Sequence, residues 1–203
     1  MKKLIEIIES TFRGIHIEKD DEYPYIDTEQ TPKNILNQRW FSIDSFPKKM
    51  DQISLHSILD TFWDLDEDKT RYLIQENKFI RTILLITSYS KQIIISTNYI
   101  ENEQKNYIEN PLTQLEKESL KTVQSEVFTL EEIQYDYQTL NALIKLSLRE
   151  KIHTEIYMID LQIILEINGL YTNVYLGEQG DIELIKYISN TEGLYIRERH
   201  IDL

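Results

Sequence analysis

The chain has 203 residues, 41% hydrophobic and 28% charged, which is enough apolar material for one folded domain and argues against wholesale disorder. A formal net charge of −13 repels phosphate backbones and anionic membranes, so direct nucleic-acid or membrane binding is not expected, whereas a basic protein partner is. With no cysteine, disulfides, thiolate nucleophiles and Cys-ligated zinc are excluded, and a reducing, cytoplasmic setting is expected.

The residues from Met1 open like a signal peptide, but Glu6 and Glu9 interrupt the apolar stretch such a peptide needs. Residues 2–14 read as an amphipathic helix, with Leu4, Ile7, Ile8, Phe12 and Ile15 recurring at three and four and Gly14 as the stop. From Glu18 to Pro47 the pattern is polar and irregular, and Arg39-Trp40-Phe41 reads as the point that pins it to the core. A short helix is expected around Gln52 to Trp63. Between Asp66 and Thr97 the pattern fits either a buried helix followed by a short strand or two strands, Ile83 to Thr87 and Ile93 to Thr97; the helix is favoured because the residues from Ser88 to Gln92 lack the Gly, Asn or Pro of a hairpin turn.

Asn110-Pro111 has the form of a helix start. Thr129-Leu130-Glu131-Glu132 is a capping box that predicts a long helix to about Lys151, with Leu130, Ile133, Tyr137, Leu140, Ile144 and Leu148 as its buried stripe. The two helices are expected to pack as an antiparallel pair joined at Phe128. After His153 the period changes to that of strands, and Asn168-Gly169 is the strongest hairpin turn in the chain. The resulting expectation is a single α+β domain, mainly helical over 1–152 and packed against a C-terminal antiparallel sheet over 153–203.

Catalytic signatures are missing. Asp64, Asp66 and Asp68 match three positions of a calcium loop, but Lys69 replaces the turn glycine and Gln75 the bidentate Glu. None of His16, His56, His153 and His200 forms an i, i+4 pair, and five glycines include no phosphate-cradling loop. Asp64, Asp66, Glu155 and Asp160 could serve a nuclease, yet the acidic balance opposes phosphate substrates. No catalytic residue, metal ligand set or cofactor is assigned.

Two stretches combine acids with aromatic rings: Asp20, Asp21, Glu22, Tyr23 and Tyr25 in one, Glu131 and Tyr135 in the other. Rigid rings offer contact area at low entropic cost, and adjacent carboxylates pair with Arg or Lys of a partner. Scarce alanine (Ala142 alone) beside abundant Ile, Asn, Lys and Tyr suggests AT-rich coding, hence a bacterium, phage or mobile element. The expectation is an acidic immunity or antitoxin-type inhibitor that occludes the active site of a basic, nuclease-like toxin. Alternatives are a DNA-mimic inhibitor, a metal-dependent enzyme using the acidic cluster at 60–68, and a module that forms a homodimer.

Overall fold

The computed structural model describes residues 2–19, 24–47, 69–102 and 112–199. Nine strands and six helices of six residues or more lie among them, with a single helical turn at Tyr99–Asn102 and a 3-10 turn at Leu120–Thr122. Strands β1 (Ile17–Lys19) and β2 (Pro24–Ile26) form a hairpin. Strands β3 (Trp40–Asp44), β4 (Ile93–Thr97), β5 (Val127–Thr129), β6 (Thr154–Met158), β7 (Ile163–Ile167), β8 (Thr172–Leu176) and β9 (Tyr195–Glu198) form one antiparallel sheet, ordered β5-β4-β6-β7-β8-β3-β9. The helices are α1 (Lys2–Thr11), α2 (Lys33–Arg39), α3 (Thr70–Ser88), α4 (Gln114–Ser119), α5 (Tyr137–Leu148) and α6 (Ile182–Thr191).

The architecture is α+β, but helices and strands are not segregated along the chain. Five strands precede residue 152, and α6 follows it. The sheet takes β3 into its interior, between β8 and β9, through pairings such as Phe41 with Val174 and with Glu198. Local periodicity cannot reveal such a partner, since the pairing residues lie more than a hundred positions away and the strand is only five residues long.

Each face of the sheet has its own cover. On one face, Phe128, Ile95, Ile156, Leu165, Val174 and Phe41 stand opposite one another across six strands. This unbroken apolar row packs under α3, α5 and α6 in the larger core. Helix α3 meets it through Phe79, Ile80, Ile83 and Ile86, whose spacing of three and four fits one helical face. Burying each such side chain contributes about 1.5–3 kcal/mol.

On the other face, α1 packs Ile8 and Phe12 over Ile94, Tyr157, Ile164 and Tyr175 in a smaller core, which also takes Ile17 and Ile26 of the hairpin and Leu36 of α2. Phe12 meets the Tyr157 ring edge-on at 6.1 Å. Helix α1 ends at Thr11, and Gly14, with φ +87°, turns the chain back towards β1.

The predicted helix from Thr129 also needs correction. Its capping box exists: Thr129 N donates to Glu132 Oε2 at 2.5 Å, and Glu132 N to Thr129 Oγ1 at 3.2 Å. It caps a single turn only, because Gln134 and Tyr135 adopt φ of 55° and 56° and Tyr135 N closes back onto Leu130 O at 2.9 Å. Helix α5 starts afresh with Asp136 as its N-cap, accepting from Gln138 N. The stripe therefore loses its phase: Leu130 and Ile133 are buried, whereas Tyr137 is 40% exposed and outside the core. Phe128 does not join two helices; it lies in β5, paired with Ile95. The helix expected around Gln52 to Trp63 lies outside the described residues, as does the Asn110-Pro111 start.

Candidate functional site

The second face of the sheet carries, next to its apolar row, a polar one. Ser96, Glu155, Glu166, Asn173, Ser42 and Arg197 stand opposite one another on β4, β6, β7, β8, β3 and β9. Strand alternation explains the placement: on β6, Ile156 and Met158 enter the larger core while Glu155 and Tyr157 point to the other side. His153, two residues before Glu155, keeps the same phase.

Hydrogen bonds order this row. Glu155 is fully buried; its Oε1 accepts from Ile26 N of the hairpin at 3.2 Å and its Oε2 from the Tyr157 hydroxyl. His153 Nε2 lies 3.5 Å from Glu155 Oε1, with the ring 24% exposed. Glu166 Oε2 accepts from Asn173 Nδ2 at 2.8 Å and from the Tyr175 hydroxyl at 2.9 Å. Trp40 Nε1 in turn donates to Asn173 Oδ1 at 2.9 Å, and its indole stacks on Tyr175 at 5.8 Å. Arg199 lies over the Trp40 and Tyr171 rings, at 5.0 and 5.4 Å from their centroids.

Two carboxylates in adjacent cross-strand positions repel each other, and Glu166 reflects it. Burial, reinforced by the Glu155 charge, raises the Glu166 carboxyl above its ordinary value, against the opposing pull of Asn173, His153 and Tyr175. For His153, burial opposes the charged ring, but the Glu155 hydrogen bond and the charges of Glu155 and Glu166 outweigh it and raise its pKa. Burial also pushes the Tyr157 and Tyr175 hydroxyls up, so both remain hydrogen-bond donors to the carboxylates. His153, Glu155 and Glu166 each present a ligand-type atom within 4.8 Å of the others.

The residues singled out from the sequence occupy other places. Asp20, Asp21, Glu22 and Tyr23 lie outside the described residues, as does the acidic stretch from Asp60 to Asp68. Tyr25 is half-buried on β2, opposite Glu18 of β1. Glu131 and Tyr135 are exposed, Tyr135 at 56%, on the turn between β5 and α5. Asp160 does not join Glu155; it closes the loop after α3, accepting from Ser90 Oγ and from Lys91 N. The sequence reading never brought Glu166, Asn173 or the two tyrosines into one site with His153 and Glu155.

Comparison with protein-family models, with curated proteins and with solved structures finds no match for this chain. Among the described residues, no helix is long and apolar enough to cross a membrane.

Proposed function

We propose that this protein is an acidic binding protein that docks on a basic protein partner, as an immunity-type inhibitor covering the cationic cleft of a nuclease-like toxin. The observation that carries the reading is the turn at 130–136. Leu130 and Ile133 anchor it in the core, the capping box and the Leu130–Tyr135 backbone bond close it, and Tyr135, Tyr137 and Glu131 remain at the surface. Rings held on a closed turn lose little freedom on binding, which is what an interface anchor requires. Glu131 is the free acid of this turn, because Glu132 and Asp136 are committed to Thr129 and to the N-terminus of α5. The net charge of −13 supplies long-range attraction to a basic surface.

The test is co-expression and co-purification with the product of the gene immediately upstream. A tight complex is expected, with an association rate that falls as salt rises and a dissociation rate that increases more than about tenfold in Tyr135→Ala. Failure to form a complex, or a complex indifferent to both salt and Tyr135→Ala, removes the proposal.

A further inference from the structure

We propose that His153, Glu155 and Glu166 form a binding site for a divalent transition-metal ion, with zinc as the ion whose ligand preferences fit best. These residues lie on and beside strands β6 and β7, away from the turn at 130–136, so the metal site does not depend on partner binding.

The first support is a missing countercharge. Elsewhere in the fold a buried carboxylate meets a cationic side chain: Glu76 takes Arg149 through two bonds of 2.6 and 2.8 Å, Glu116 takes Lys145, and Asp44 takes Arg197. Glu155 and Glu166 share only His153. Among the described residues neither pairs with a lysine or an arginine. Taking two carboxylates out of water next to each other demands compensation by protons or by a cation.

The second support is the donor geometry. Ligand atoms of all three residues fall within 4.8 Å of one another, from the residue that precedes β6, the second residue of β6 and its directly opposed partner on β7. The sheet fixes these backbones, and the His153 amide is further held by Asn98 Oδ1 at 2.7 Å. Outer partners orient both carboxylates, with Ile26 N and Tyr157 on Glu155 and Asn173 and Tyr175 on Glu166. Orientation of this kind by donors behind the ligands is the usual support of a metal centre. Glu166 Oε1 receives no hydrogen bond among the described residues and stays available. An imidazole with two carboxylates suits zinc or manganese better than calcium or magnesium, which favour all-oxygen shells.

Calorimetry on the full chain, stripped with chelator, tests the site with Zn2+, Mn2+, Ca2+ and Mg2+ in turn. One zinc ion per chain is expected to bind, more tightly than calcium or magnesium, and to raise the Tm. In Glu166→Gln and in His153→Gln, zinc affinity should drop more than about tenfold and the Tm increase should vanish. Both variants keep hydrogen-bonding capacity, and a cooperative unfolding transition in chelator verifies that each is folded. Should a variant not fold, Glu166→Asp, which retains the charge but withdraws the ligand by one methylene, replaces it with the same expected loss. Absence of zinc and manganese binding overturns the proposal, because protons alone then balance the two carboxylates. Zinc binding of unchanged affinity in the variants overturns it equally, since the ion then sits elsewhere on an acidic surface.

Discussion

Buried acids lie on both sides of the sheet, and Glu155 and Glu166 are treated differently from the rest. Under the helices, Glu76 of α3 and Glu116 of α4 are each tied to a basic side chain from α5 or its C-cap, Arg149 and Lys145. On the opposite face, Glu155 and Glu166 stand side by side, with His153 the one basic side chain beside them among the described residues. The helical layer contains closed pairs, whose charges are spent on each other and hold α3, α4 and α5 together. On the second face Asp44 and Arg197 form a closed pair as well, but the Glu155–Glu166 stretch of the polar row has no lysine or arginine partner among the described residues, and that difference separates a structural ion pair from a candidate site.

The largest way to break this comparison lies in the helical layer. Replacing Arg149 by Met leaves the Glu76 carboxylate buried without its bidentate partner, and should cost about 3–5 kcal/mol of unfolding free energy in urea titration. If Arg149→Met instead proves neutral, Glu76 is reached by water and the helical pairs are not closed. A smaller loss, about 1–2 kcal/mol, is expected for Lys145→Met. There Glu116 still accepts from Thr113 N at 2.7 Å and from Asn141 Nδ2 at 3.1 Å, so its charge is only partly abandoned.

How far the sequence foretold these two regions follows from the range of the interactions involved. Helix α3, strand β4 and the β7–β8 hairpin at Asn168-Gly169 are local patterns, and each is legible in a window of a few residues. The single turn at 130–136 was misread because a capping box fixes where a helix begins but not how far it runs. Two successive left-handed residues, Gln134 and Tyr135, carry no glycine to announce the stop. The place of β3 was hidden by chain distance. The polar row, in contrast, was within reach. Counting outward from the four-residue connection between Met158 and Ile163 pairs those two and then places Glu155 opposite Glu166. A charged residue at the matching position of two largely apolar strands is the signal, and it becomes visible only when the two strands are paired rather than taken singly.

The smallest effect is the most discriminating, because it has opposite signs in the two regions. Hydrogen bonds and the Lys145 charge, working against burial, lower the Glu116 carboxyl below its ordinary value. A lowered folded pKa contributes stability that is present above the unfolded value and lost as pH falls through the folded one. Glu166, raised by burial and by Glu155, behaves in reverse: its contribution is complete below the unfolded value and is lost as pH rises through the folded one. Comparing each Gln variant with the parent in chelator, from pH 4 to pH 8, isolates these contributions. Glu116→Gln should fall behind the parent as pH rises through the acid range, whereas Glu166→Gln should gain on it over the range above the ordinary carboxyl value. Thermal melts at matched ionic strength suffice to read both slopes. Slopes of the same sign would mean that the two carboxylates of the polar row are as well compensated as the helical pairs, and the distinction between the two faces would disappear.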